Sequence, residues 1–216
     1  AGISYALVEA DTICGGITKN TTAKITSQHG LIYDKLISQF GVERAQMYLK
    51  ANETALDEYR RLCATIECDF EEKNAFVYSH NSRRKIEKEL TALEKLGYPA
   101  ELPLPFSAAG AVKFSNQAQF NPLKFVASIT SDLNIYEHTR VRELTDCGAV
   151  TNHGTIVAEK IIVATHFPFI NKHGSYFLKQ YQHRSYVLAL ENAPNVHGMY
   201  VDEAQKGMSF RNYQNL

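Results

Sequence analysis

The chain has 216 residues, with 23 Lys plus Arg against 23 Asp plus Glu and 44% hydrophobic residues. That balance describes a folded globular protein and gives no electrostatic reason to expect a nucleic-acid or anionic-membrane partner. No apolar run approaches the roughly 20 residues of a bilayer-spanning helix, so no membrane span is expected. The N-terminus lacks the basic, apolar and cleavage-site series of a secretory signal, and a cytoplasmic location is the default expectation. Cys14, Cys63, Cys68 and Cys147 are too few and too scattered for a disulfide framework, and they read as reduced structural thiols.

Tyr5 to Asp11 predicts an opening strand with Glu9 near its end, followed by a Gly, Thr, Ser and Asn-rich loop over residues 12–29. Helical spacing follows from Gly30 to Phe40 and, after Gly41, from Val42 to about Ile66 through Ala45, Leu49, Leu56, Tyr59 and Leu62. Asn74 to Ser79 predicts a strand, and Ser82 to Leu96 a helix capped by Ser82 and closed at Gly97. Pro99, Pro103 and Pro105 suggest a stiff crossing between lobes, followed by a strand over Phe106 to Phe114. Asn121-Pro122 opens a helix through about Leu133. The remainder is strand-rich: Asn134 to Leu144, Ala149 to Asn152, a β-branched run from Thr155 to Ala164, Ser185 to Leu190, Gly198 to Val201 and Gly207 to Tyr213.

The run from Thr155 to Ala164 is the most informative of these. It predicts a buried strand that stops in the polar Thr165-His166, the kind of strand end where open α/β sheets place ligands. With Arg140 to Leu144 and Ala149 to Asn152 it makes a three-stranded β-meander, a crossover seen in flavoproteins with two dinucleotide-binding domains. Together with Glu9, placed to accept from a ribose diol, it suggests a flavin adenine dinucleotide site.

Other motifs are weaker. Gly15 to Lys24 could wrap a pyrophosphate with backbone amides and threonine hydroxyls, or be an ordinary surface loop, and it lacks the Gly-Lys-Thr ending of a Walker loop. Asn116 to Asn121 clusters amides that either line a polar cavity or cap the next helix. Arg184 and Arg211, in aromatic strand-like surroundings, are equally suited to a substrate carboxylate or a structural ion pair. His29, His166, His173 and His183 lack metal-site spacing, and no nucleophile triad has a local signature.

Four blocks resemble one family: Leu7 to Asp11, Asn20 to Gly30, Asn116 to Phe120 and Ala164-Thr165-His166-Phe167-Pro168. They are similar to bacterial FAD-dependent oxidoreductases of the glycine oxidase and D-amino-acid oxidase superfamily, in particular the group that often carries an added Rieske domain. The resemblance implies an α/β (α+β) fold in which a Rossmann-like FAD-binding lobe with a β-meander crossover is interleaved with an antiparallel-sheet substrate domain. The lobes are expected over residues 1–38 and 135–170, and over 39–134 and 171–216. It further implies that Glu9 holds the adenosine ribose, Thr21 and Thr22 lie near the pyrophosphate, Val141 touches the adenine side and Thr165 closes the pocket. Gln28 and His29 would sit toward the flavin ring. Candidate catalytic residues are His29, His166, Arg184 and Arg211, acting on a small-molecule amine or amino acid that passes hydride to FAD.

Two features depart from the family. Only Ala1-Gly2-Ile3-Ser4 precedes Tyr5, where the family has a strand, a Gly-x-Gly-x-x-Gly turn and a helix, and no Cys-x-His, Cys-x-x-His pair for a [2Fe-2S] cluster occurs. The expectation is a fragment of a larger flavoenzyme, itself apo and inactive because the glycine turn supplies the main pyrophosphate anchor. A [2Fe-2S] cluster would belong only to a further C-terminal domain. A non-catalytic scaffold and a metal-dependent hydrolase are the alternative readings.

Overall fold

The structure is a computed structural model that describes residues 3–103, 106–167, 169 and 175–214. Two compact units emerge, one from Ala1–Thr21 with Val126–Leu188 and one from Thr22–Phe125 with Ala189–Leu216. These boundaries fall elsewhere than the divisions near residues 38, 134 and 170 expected from sequence.

The second unit is built on a five-stranded mixed sheet. Its strands are β2 (Lys24–Ile25), β3 (Glu71–Ser79), β4 (Gly110–Gln119), β9 (Met199–Asp202) and β10 (Ser209–Arg211), in the order β10-β9-β3-β4-β2. The β3–β4 pair is antiparallel and dominates the sheet, while β9 runs parallel to β3. Helices α1 (Tyr33–Cys63) and α2 (Arg83–Lys95) supply the apolar cover. Ala45 and Leu49 of α1 meet Ile86, Ala92 and Leu93 of α2 and Val112 and Phe114 of β4 in one buried cluster. A second cluster stacks Phe76 on Tyr200, with ring centroids 4.5 Å apart, and Tyr200 on Phe210 at 5.0 Å.

Local chemistry explains the helix ends. The Ser82 side chain accepts from Lys85 N at the start of α2. At its end Gly97 N donates to the Glu94 carbonyl at 2.9 Å and Tyr98 N to that of Leu93 at 3.0 Å, a Schellman closure. Gly41, with φ 84°, breaks α1 where the sequence places a boundary between two helices. The first turn of α1 is satisfied from a distance: buried Glu89 of α2 accepts from Tyr33 N at 2.8 Å and Asp34 N at 3.0 Å. Asn121 caps α3 (Pro122–Thr130) by accepting from Leu123 N and Lys124 N.

The first unit contains a parallel pair, β1 (Leu7–Val8) with β5 (Ile135–Tyr136), and an antiparallel meander of β6 (Val141–Thr145), β7 (Gly148–Thr151) and β8 (Gly154–Val157). Gly148 is required where β7 closes on β8, since a Cβ there would lie 1.8 Å from the Ile156 carbonyl oxygen. Helix α4 (Tyr176–Lys179) is a single short turn.

Several expectations are corrected. The strand expected over Thr155 to Ala164 ends at Val157, and Ile162 beyond it is 90% exposed. Ser185 to Leu190 forms no strand either, and Leu188 is 87% exposed. Neither segment finds a strand partner among the described residues, and an apolar run without a ladder partner leaves its backbone to solvent. The strand expected over Phe106 to Phe114 runs instead from Gly110 to Gln119, so the amide cluster lies largely within β4 rather than after it. The proline-bearing segment 99–103 stays inside the second unit, where Glu101 bridges to Lys113, and is no crossing between units. Pro105, Pro168 and His173 lie outside the described residues.

Candidate functional site

Glu9 stands just past the carboxyl end of β1. The ladder with β5 continues beyond it, with Glu9 N donating to the Tyr136 carbonyl at 3.0 Å and Thr139 N to that of Glu9 at 2.8 Å. Its half-buried carboxylate accepts from Asp11 N at 2.9 Å. A carboxylate fixed at the carboxyl end of a parallel strand pair fits a ribose diol, which brings two hydroxyl donors. The following loop is tied by Ile13 N to Glu137 Oε1 at 2.7 Å and by a 3-10 turn over Thr18–Asn20. Thr21 ends this stretch and is exposed. Val141 lies half-buried in β6, while Thr165 and His166 are exposed in a segment without regular structure. No hydrogen bond among the described residues links Glu9, Val141 and Thr165. Arg184 is likewise exposed and makes no ion pair among them.

In the second unit Thr22, Gln28, His29 and Arg211 are placed by β2, its following turn and β10. Thr22 Oγ1 accepts from Lys24 Nζ at 3.5 Å. Gln28 is buried; its Nε2 donates to the Val112 carbonyl at 3.0 Å and its Oε1 has no partner. An acceptor left open inside a protein suits a ligand that brings a donor, such as a flavin-ring N–H. His29 is exposed and pairs with Asn52 Oδ1 at 3.2 Å. Arg211 lies with its Cζ 5.4 Å from the Tyr213 ring centroid, and burial holds its guanidinium below the ordinary range.

Behind Gln28 runs a buried polar network that the sequence reading missed. Ser27, fully buried, donates from N to Gln117 Oε1 at 2.8 Å and from its hydroxyl to Glu53. Tyr33 OH donates to the Ser27 carbonyl at 2.6 Å. Burial above all, with Glu53 adding to it, pushes the Tyr98 hydroxyl up. The available signal was the alternation of Gln117 and Gln119 through a strand, a spacing that sets both amides on one face.

No cluster of three or more His, Cys, Asp or Glu side chains suited to a metal forms among the described residues. All four cysteines are free, and burial followed by the neighbouring Cys68 pushes the Cys63 thiol up to about 12, as suits an unreactive core thiol. Two surface hollows, one beside Arg84 and Lys88 and one beside Cys63 and Cys68, contain none of the predicted site residues. None of the described helices is long and apolar enough to cross a membrane.

The parallel strand pair and the β-meander of the same unit belong to a Rossmann-like fold of the α/β class. The sequence profile of the family described as FAD dependent oxidoreductase (DAO) matches residues 1–215, and the chain belongs to that family. It is 33% identical over 231 aligned residues to YhfW of Bacillus subtilis (strain 168), named as a Rieske 2Fe-2S iron-sulfur protein, covering 97% of this chain and 45% of YhfW. Its fold is similar to that of glycine oxidase from Geobacillus kaustophilus, with a TM-score of 0.63 at 15% identity over 97% of this chain and 62% of the oxidase. L-proline dehydrogenase from P. horikoshii follows, with a TM-score of 0.55 at 14% identity over 70% and 43% of the two chains. The chain thus spans less than half the length of its curated relative.

Proposed function

We propose that the protein to which this chain belongs oxidises a small amine or amino acid by hydride transfer to FAD. The observation that carries the reading is the match of the oxidoreductase family across residues 1–215. The names of the two solved relatives, an oxidase of glycine and a dehydrogenase of L-proline, support an amino-acid substrate class. Bound FAD supplies the two-electron acceptor, and the protein's task is to hold the cofactor and orient the substrate C–H bond. In this reading the unit with Glu9 is the cofactor-binding part and the unit with the five-stranded sheet the substrate part.

Glu9 holds the adenosine ribose, Thr21 and Thr22 donate toward the pyrophosphate, Val141 lines the adenine side and Thr165 closes the pocket. Gln28, through its open Oε1, and His29 are the ring-side residues. His166, Arg184 and Arg211 are the remaining candidates for contacting substrate. The name of the curated relative supports a Rieske [2Fe-2S] domain elsewhere in the full-length protein.

The test is FAD titration of the full-length protein, followed by flavin fluorescence, against its Glu9→Ala variant. Loss of a hydrogen bond to a charged group costs about 1.5–3 kcal/mol, so the variant is expected to bind roughly tenfold or more weakly. Equal affinity in the two proteins overturns the assignment of Glu9, and absence of flavin binding in both overturns the cofactor reading.

A further inference from the structure

Cys63 and Cys68 form a pair of sulfur nucleophiles apart from every residue assigned to flavin or substrate. Cys63 is the last residue of α1, and Cys68 follows five positions later, shortly before β3. Both are buried, at 8% and 1% exposed, yet both line one hollow of about 590 Å³ together with Arg60, Glu67, Asp69 and Glu72. That volume falls in the range of small-ligand sites. The thiols are neighbours, the Cys63 side chain being hydrogen-bonded to that of Cys68.

The backbone between them is pinned at both ends. Ala64 N donates to the Arg60 carbonyl at 3.0 Å and Thr65 N to that of Leu62 at 3.2 Å, while Asn121 N donates to the Cys68 carbonyl at 2.7 Å. Asp69, held at φ 53°, accepts from Tyr213 OH at 2.6 Å and from Lys124 Nζ at 2.6 Å. Two sulfurs fixed side by side need little further ordering to bond, which favours each as the other's partner over any external thiol.

We propose that Cys63 and Cys68 are a dithiol site that exchanges with small cationic disulfides and closes reversibly into an internal disulfide. The Cys68 thiolate attacks one sulfur of the small disulfide, whose S–S bond breaks; one small thiolate leaves and takes up a proton, and the other half stays on Cys68. Cys63 then gives its proton to solvent and attacks the Cys68 sulfur, and the second small thiolate leaves and is protonated. The protein loses two electrons and two protons, and the small disulfide gains both. Cys68 is the starting sulfur because burial and Cys68 itself hold the proton on Cys63. Cys63, inert toward an external reagent, is thus reached only from within. Charge sets the preference for a cation: Arg60 stands against Glu67, Asp69 and Glu72, and the lining stays negative even with Lys124 counted against Asp69. The ring is short, so closure adds less stability than a long-range bridge, and reduction reopens it.

Full-length protein is exposed under native conditions to cystamine or to the anionic dithiodiglycolate, quenched with acid, alkylated in denaturant and digested with trypsin. Cleavage after Arg61 and Lys73 gives one peptide, residues 62–73, that carries both cysteines. Closure is read by mass spectrometry as this peptide without alkyl groups and lighter by two hydrogens, with rates normalised to adduct formation at exposed Cys147. Cystamine is expected to close the pair about tenfold faster than dithiodiglycolate, the low end of electrostatic steering, and dithiothreitol to reopen it. The charge preference separates exchange at the hollow from exchange in a transiently unfolded chain. Cys63→Ser is expected to leave a lasting cysteamine adduct on Cys68, and Cys68→Ser to leave Cys63 unmodified. In the wild type, adducts without closure, no reaction at the pair once Cys147 is fully modified, or closure as fast with dithiodiglycolate as with cystamine overturns the site.

Discussion

The two units use similar apolar sequences to different ends. In the unit of the five-stranded sheet, Val77, Leu93, Val112 and Phe114 are buried almost completely. In the other unit the buried residues among those described all lie on β7, namely Gly148, Ala149 and Thr151. There Ile162 and Leu188, from runs as β-branched or aliphatic as those of β3 and β4, are 90% and 87% exposed. An apolar run becomes a buried strand only when a neighbour supplies both a hydrogen-bond ladder and a packing surface.

The sharpest way to break this contrast is to truncate one apolar side chain in each unit and follow denaturant unfolding. Leu93→Ala is expected to cost about 2–5 kcal/mol, because a cavity opens between α2 and the sheet. Ile162→Ala is expected to stay within about 0.5 kcal/mol, as befits an exposed side chain. Comparable losses would show that the segment after β8 is packed.

A smaller loss follows from Glu89, which ties α2 to the start of α1. Its removal in Glu89→Ala strands two backbone donors, at about 1–3 kcal/mol for a buried unsatisfied group. Hydrogen exchange at Tyr33 and Asp34 is expected to accelerate more than exchange within β6 to β8. A uniform change across both units would contradict the local role of this carboxylate.

A further effect is a pH dependence. The folded-state pKa of Lys24, about 8, lies below its ordinary value of 10.5. The unfolded chain therefore binds more protons between those values, and stability gains a contribution as pH rises from about 8 toward 10.5. The same contribution is lost as pH falls through 8. Unfolding midpoints across this window are expected to show the slope in the wild type and a flatter profile in Lys24→Met; identical profiles would remove the depressed ammonium from the account.

The parts of the fold legible in the sequence are those set by short-range chemistry. Ser82, Gly97, Asn121-Pro122 and Gly41 each mark a helix boundary through a cap, a closure or a break that involves only near neighbours. The meander was legible through β8, since its turns at Asp146-Cys147 and Asn152-His153 are local. The continuation to Ala164 was not, because whether a β-branched run pairs depends on a partner strand distant in sequence. In the candidate site, Glu9 could be read from the end of its strand. The buried partners Ser27, Glu53 and Gln117 could not be grouped, as they come from a turn, a helix and a strand spread over 90 positions, from 27 to 117. Glu89 escaped notice for a similar reason: a lone acid on an amphipathic helix looks solvated until the helix it caps, 55 residues earlier at Asp34, is placed beside it.

The proposal that the protein oxidises amino acids with a bound flavin is tested most directly by anaerobic reduction. Full-length protein loaded with FAD is mixed with alanine, glycine or proline in the absence of oxygen, and the visible flavin absorbance is followed. The account predicts bleaching of the flavin by at least one amino acid. Tightly bound flavin that no amino acid or amine bleaches would contradict it.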